Sequence, residues 1–112
     1  MKLAISSTGP GLDDPIDPRF GRCAYFIVVN PATMAFEALV NSSASQSGGA
    51  GIQAAQLVAD QNVNVVLTGN CGPNALKAFD ASGIKVVTGV GGSVREAVGA
   101  FGHRRQFVFQ SR

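Results

Sequence analysis

Two apolar segments late in the chain, Val63 to Thr68 and Ile84 to Thr88, limit the architecture more than any other feature. Each reads as a strand apolar enough to be buried on both faces. A helical segment follows each of them. Pro73 suits the first turn of a helix with Ala75, Leu76, Ala78 and Phe79 on its inner face, and Gly83 ends it. Ser93 with Glu96 three residues later forms a capping-box pattern, so a last helix starts near Val94 and ends at Phe101 and Gly102. Strand, helix, strand, helix in that order calls for parallel strands joined by crossovers.

The first half is built on another plan. Lys2 to Ser7 is a short strand halted by the breaker cluster Thr8-Gly9-Pro10-Gly11, and the stretch LDDPIDPRFGRC, with two Asp-Pro pairs, is an ordered loop. Ala24 to Asn30 and Met34 to Asn41 are rich in aromatic, β-branched and other apolar residues, and the turn Asn30 to Thr33 is short enough to force them into a hairpin. Ser42 to Gly51 is a loop of small residues. Ile52 to Gln61 then places Ala54, Ala55, Leu57, Val58 and Ala59 at helical spacing. The resulting order, βββαβαβα, excludes a regular doubly wound sheet. The expected fold is α/β and ribonuclease H-like: one domain over residues 1–102, a mixed five-stranded sheet with strand two antiparallel, three helices, and a tail at 103–112.

Charge and hydropathy narrow the function classes. A net charge of +2 is too small to argue for nucleic acid. The longest apolar runs, Tyr25 to Val29 and Val63 to Leu67, fall far below the roughly 20 residues a membrane span needs, and the first residues are too few for a signal-peptide core. Cytoplasm is the expected compartment, where Cys23 and Cys71 are thiols rather than a disulfide. Metal-dependent nuclease chemistry needs acids along strands one and four, which have none. With no P-loop and no Ser-His-Asp set, the chain reads as a binding protein and not an enzyme.

Topology brings the remaining polar features to one rim. If strands one, four and five are parallel, their C-terminal ends deliver Thr68-Gly69-Asn70-Cys71-Gly72 and the Gly91-Gly92 turn to the edge that also carries the loop with Arg19, Gly21 and Arg22 and the loop with Gly48, Gly49 and Gly51. Helix N-termini lie there too, with Asn74 in the first turn of one of them, and their N–H groups favour an anion. Cys23 and Cys71 arrive at the same rim within reach of one ligand, and the seat of Cys71 before a helix should lower its pKa. Both are candidate metal ligands. So, more weakly, is His103, the chain's one histidine.

The segments DPRFG at Asp17 to Gly21, GGAG at Gly48 to Gly51 and TGNCGPNA at Thr68 to Ala75, with the closing SVREAV, resemble the family of nitrogenase iron-molybdenum cofactor biosynthesis accessory proteins. The likeness spans about residues 3 to 100. It implies a ribonuclease H-like domain that binds, carries or stores an iron-sulfur or molybdenum-containing cluster. The small orange proteins of anaerobic bacteria, which hold a molybdenum-copper sulfide cluster, are similar members. Cluster donor or acceptor proteins are the partners it implies, for a monomer or weak homodimer. Some relatives carry histidine where Arg19 stands here, and a guanidinium stays protonated and ligates no metal. A charge contact is therefore expected at that position. The second class of function left open is a thiol-based redox or small-anion or nucleotide-binding protein using Cys71 and Cys23. A third is docking through Phe107 to Phe109.

Overall fold

A computed structural model describes residues 1–45 and 48–110, with 103–110 described by their backbone alone. The strands β1 (Leu3–Ser7), β2 (Tyr25–Val29), β3 (Phe36–Val40), β4 (Val65–Leu67) and β5 (Lys85–Val87) form one sheet in the order β3-β2-β1-β4-β5. β1, β4 and β5 are mutually parallel, and β2 is antiparallel to both β1 and β3. Three helices complete the domain: α1 (Ala50–Ala59), α2 (Pro73–Ala81) and α3 (Val94–Gln110). The mixed five-stranded sheet and the three helices read from the sequence are thus present.

Alternation along the central strands sorts the core into two layers. Ala4, Phe26, Val28 and Val66 point to one face, where Ala54, Ala55 and Val58 of α1 and Ala75 and Phe79 of α2 cover them. Leu3, Ile5, Ile27, Val29, Val65 and Leu67 point to the other, against Val94, Ala97, Val98 and Phe101 of α3. Burial on both faces explains why the middle of the sheet needs near-continuous apolar runs. Each of the larger side chains, Val, Leu, Ile and Phe, contributes about 1.5–3 kcal/mol relative to exposure.

Three elements differ from expectation. β5 is not buried on both faces: Lys85 is exposed and Val86 and Val87 are half-buried, because β5 ends the sheet and has a neighbour on one side alone. α1 begins at Ala50, so Gly51 lies in its first turn and not in the preceding loop. α3 does not stop at Phe101 and Gly102 but runs on to Gln110. Gly102 is not among the glycines in the left-handed conformation that ends helices, and one interior glycine costs about 1 kcal/mol without breaking a helix. Among the described residues no helix is long and apolar enough to cross a membrane.

The loop from Thr8 to Pro18 is tied down at many points. Asp17 N–H donates to Ser6 O at 3.0 Å, Ile16 N–H to Gly92 O at 2.9 Å, and Arg95 Nε meets Asp13 Oδ1 at 2.8 Å. The capping box at the start of α3 is reciprocal: Glu96 N–H donates to Ser93 Oγ at 3.1 Å, and Ser93 N–H to Glu96 Oε1 at 2.9 Å. The Ser93 backbone N–H first, and its hydroxyl second, hold the Glu96 carboxyl below its ordinary pKa. A depressed folded-state pKa means the contribution is present above the unfolded value of about 4.3 and is lost as pH falls through the lower folded value. Separately, Ser93→Ala removes the hydroxyl that accepts the Glu96 N–H and should cost about 1 kcal/mol, the usual effect of removing an N-cap. Thermal unfolding at pH 7 and pH 3 checks this, and Glu96→Gln should separate from the wild type at pH 7 alone.

Candidate functional site

The site is built on a buried pair of hydroxyls at the C-terminal ends of β1 and β4. Ser6 Oγ lies 2.7 Å from Thr68 Oγ1 and donates its proton to Asp17 O at 2.7 Å, so Thr68 must be the donor to Ser6. This anchors the Asp17-Pro18 turn above the sheet. Asn70 N–H then donates to Pro18 O at 2.6 Å and Phe20 N–H to Asn70 O at 3.1 Å, a short parallel bridge that sets Arg19 beside Asn70. The approach is close enough to demand glycine at 69. A Cβ there would stand 2.6 Å from Pro18 Cα and 2.9 Å from Pro18 O. On its other side, Gly69 O accepts from Gly89 N–H at 2.8 Å.

A 3₁₀ turn, Phe20–Arg22, follows the bridge. Phe20 is 2% exposed and packs its ring 5.0 Å from that of Phe26 and 5.3 Å, edge-on, from that of Phe79. With Phe20 as its anchor, the turn brings Gly21 against the first turn of α1. A Cβ on Gly21 would lie 3.1 Å from Gly51 Cα and 3.2 Å from Gly51 N. One on Gly51 would meet Ala75 Cβ of α2 at 3.8 Å. The 3₁₀ turn and the N-termini of α1 and α2 therefore meet at one point, bringing together Arg19, Gly21, Gly49, Gly51, Asn70, Gly72 and Asn74.

Electrostatics at that point favour an anion. Gly49 caps α1 and Gly72 caps α2, and neither offers a side-chain hydrogen bond, so among the described residues the first-turn N–H groups and the positive ends of two helix dipoles favour an outside acceptor. The Arg19 guanidinium, with its side chain 68% exposed, is held by Asp17, Nε to Oδ1 at 3.3 Å and Nη2 to Oδ2 at 3.4 Å. Asp17 also takes the Arg19 N–H at 2.9 Å. Arg22 is exposed and donates from Nη1 to Ala44 O at 2.9 Å, beside the loop that leads to Gly48 and Gly49.

Other expected site residues differ from expectation, in place or in chemistry. Cys23 was expected to face a ligand on the rim, but it is 0% exposed in the core beneath the 3₁₀ turn, with its Sγ–H donating to Phe20 O at 3.3 Å. Burial pushes its pKa up to about 12, and enclosed in the core it has no open side to a ligand on the rim. Cys71 is half-buried against the same core. Its pKa is raised by desolvation and not lowered by the helix, so the expected acidic thiol is absent. Gly91 and Gly92 lie across the sheet from the cradle. They line a cavity of about 290 Å³ on the α3 side with Leu67, Val87, Phe101 and the acidic Glu96, and its described lining has no cationic side chain. α3 also caps itself, so its N-terminus does not join the other two. The His103 side chain and the stretch Phe107 to Phe109 lie outside the residues described with side chains.

Asp17, Pro18, Ser6 and Phe20 build the site although the sequence pattern carries little sign of that role. The local signal was the Asp-Pro-Arg triplet, whose carboxylate folds back on the Arg19 N–H as aspartates in turns do. Chemically, the cradle can bind and orient an anion. Among the described residues no thiol is paired with a base, and no group of three His, Cys, Asp or Glu side chains could hold a metal ion.

Comparison with known proteins gives this geometry a context. The family model for dinitrogenase iron-molybdenum cofactor matches residues 1–104. The apo form of the orange protein from Desulfovibrio gigas is 49% identical, superposes with a TM-score of 0.86, and shares 89% of this chain and 85% of that one. A putative NifB protein from Thermotoga is 31% identical with a TM-score of 0.79, over 91% of this chain and 87% of that one. An uncharacterised protein of Methanocaldococcus jannaschii is 31% identical over 104 residues, 90% of this chain and 85% of its own length. The chain belongs to the dinitrogenase iron-molybdenum cofactor family.

Proposed function

We propose that this protein binds and carries an anionic metal-sulfur cluster, iron-sulfur or molybdenum-containing, including a molybdenum-copper sulfide, as cargo. The single observation that carries the reading is the meeting of two glycine-capped helix N-termini over the Arg19–Asn70 bridge. A metal-sulfide cluster is a large polarisable anion whose outer sulfurs accept weak hydrogen bonds. Backbone N–H groups around Gly49, Gly51 and Gly72, the amides of Asn70 and Asn74, and the guanidinium groups of Arg19 and Arg22 suit such a surface without coordinating a metal. The buried Cys23 and the absence of a three-ligand group among the described residues support charge-held over thiolate-held cargo. The burial of Cys23 also counts against the thiol-redox alternative. The family supports the cargo class, and the related Desulfovibrio gigas protein is an orange protein known in an apo form. Donor and acceptor proteins for the cluster are the partners this role requires. A ribonuclease H-like fold and a cytoplasmic location belong to the same reading.

Anaerobic reconstitution tests it. The protein is mixed with iron and sulfide, or with tetrathiomolybdate with and without copper(I), and then desalted. Visible absorption and stoichiometric metal should remain with the chain. Cys23→Ala should load like the wild type, whereas Arg19→Ala should weaken retention about 10-fold, more at low salt, as expected for one charge-assisted contact. A chain that stays colourless and metal-free with every mixture rules the carrier reading out. Cargo lost in Cys23→Ala or Cys71→Ala but kept in Arg19→Ala would replace charge with thiolate as the means of holding it.

A further inference from the structure

The two edges of the sheet are not alike. β5 is three residues long and carries exposed Lys85, the kind of edge that resists pairing. β3 is five residues long, Phe-Glu-Ala-Leu-Val, with no proline or lysine, and β2 is its one neighbour in the sheet. Hydrogen bonding at both ends of the hairpin tells which backbone groups are open. Asn30 N–H donates to Ala35 O at 2.9 Å and Asn41 N–H to Ala24 O at 3.0 Å. Bonded pairs alternate with unbonded ones along an antiparallel ladder, so Glu37 and Leu39 bond to β2. Phe36, Ala38 and Val40 then turn their N–H and C=O groups away from it, toward the open edge. Their side chains share one face, the face that bears Ile27 and Val29. There they form an exposed apolar stripe, with Phe36 43% and Val40 66% exposed.

We propose that two copies of this chain pair through β3, antiparallel about a two-fold axis at Ala38, to make one continuous sheet. The strand's own sequence selects that register. With Ala38 opposite Ala38 of the second copy, Phe36 faces Val40 and Val40 faces Phe36. Each of these pairs presents outward-facing groups on both strands and can exchange both of its bonds. The apolar stripes join on one face, with an aromatic and a β-branched residue side by side in both outer pairs. Glu37 falls opposite Leu39. A shift of two residues one way sets Glu37 directly against Glu37, where like charges oppose pairing, and a shift the other way leaves Phe36 without a strand partner. The arrangement is isologous and closes at two copies, which removes both exposed β3 edges. Because the paired strands run in opposite directions, the two cradles face opposite ends of the joined sheet. Each copy therefore holds its own cargo, and no residue is pooled between them.

An interface of one short strand is small, so pairing should be reversible and concentration-dependent. Sedimentation velocity on the full chain from about 1 μM to about 500 μM should show the mass rise from one chain to two, a range that brackets micromolar dissociation. Amide hydrogen exchange supplies the specific reading. The Phe36, Ala38 and Val40 amides should exchange freely at low concentration and become at least about 10-fold slower as the dimer forms. Val40→Lys and Ala38→Pro should both leave a monomer at every concentration. Ala38 donates no bond to β2, so proline is tolerated there, and an unchanged thermal transition confirms folding. A wild type that stays monomeric throughout overturns the proposal, as does a dimer that forms without protecting those amides or that survives both substitutions.

Discussion

Gly69→Ala should destabilise the domain by about 1–3 kcal/mol, the range for forcing a methyl group into a site with no room for it. The added Cβ would lie 2.6 Å from Pro18 Cα, 2.7 Å from Pro18 Cβ and 2.9 Å from Pro18 O. Two of those three atoms are backbone, so no side chain can swing aside. Nor can the Pro18 segment retreat easily, since its carbonyl accepts the Asn70 N–H and Asp17 is held by Ser6 through two separate hydrogen bonds. Relaxation would have to stretch the Arg19–Asn70 bridge, so cargo retention should fall together with stability. Gly91→Ala is the matched control. Nothing lies within 4 Å of a Cβ there, so its stability should stay within about 0.5 kcal/mol of the wild type and its loading should not change. Urea denaturation of the two variants, with metal content after reconstitution, checks both halves. A Gly69→Ala protein as stable as Gly91→Ala would mean that the close approach to Pro18 is not maintained in solution.

The same contrast shows what the sequence could and could not disclose. Apolar periodicity and breakers located the sheet and helices because those signals are local: the Asn30 to Thr33 turn forces the hairpin, and Ser93 with Glu96 marks the start of α3. The rim was also legible, since parallel strands bring their C-terminal ends to one edge. Which side of the sheet each loop serves was not. α2 connects two parallel strands and its side follows from the handedness of the crossover, but no strand follows α3, so nothing in the pattern places Gly91 and Gly92 across the sheet from Gly72. Cys23 was misplaced for a related reason. It precedes β2, where the two-residue alternation that would predict its direction has not begun. The 3₁₀ turn went unseen because three residues carry no periodicity. The start of α1 is hidden because Ala50 and Gly51 follow a glycine cap and not a Ser, Thr, Asp or Asn.

Phe20→Ala should cost about 3–5 kcal/mol, a large share of the roughly 5–15 kcal/mol that holds a domain of this size together. Three effects fall on one residue. The side chain is 2% exposed, so its removal leaves a cavity in the layer between the sheet and the α1/α2 pair. Its ring contacts with Phe26 and Phe79 vanish, and such pairs add about 0.5–1.5 kcal/mol beyond area. The Phe20 carbonyl, which accepts the Cys23 thiol, and the Phe20 N–H, which donates to Asn70, both lose the anchor that fixes their position. Phe20→Leu keeps most of the volume and should cost appreciably less, which separates cavity formation from loss of the backbone bridge. The functional consequence follows from chain order. Arg19 and Gly21 flank Phe20, so the ring that fills the core is also what holds the arginine and the glycine at the mouths of α1 and α2. At a temperature where Phe20→Ala remains folded, its cargo retention should drop further than that of Arg19→Ala, because it loosens both sides of the cradle and not one charge. Equal retention in the two variants would show instead that the helix N-termini and Arg19 hold the anion without help from the packed ring beneath them.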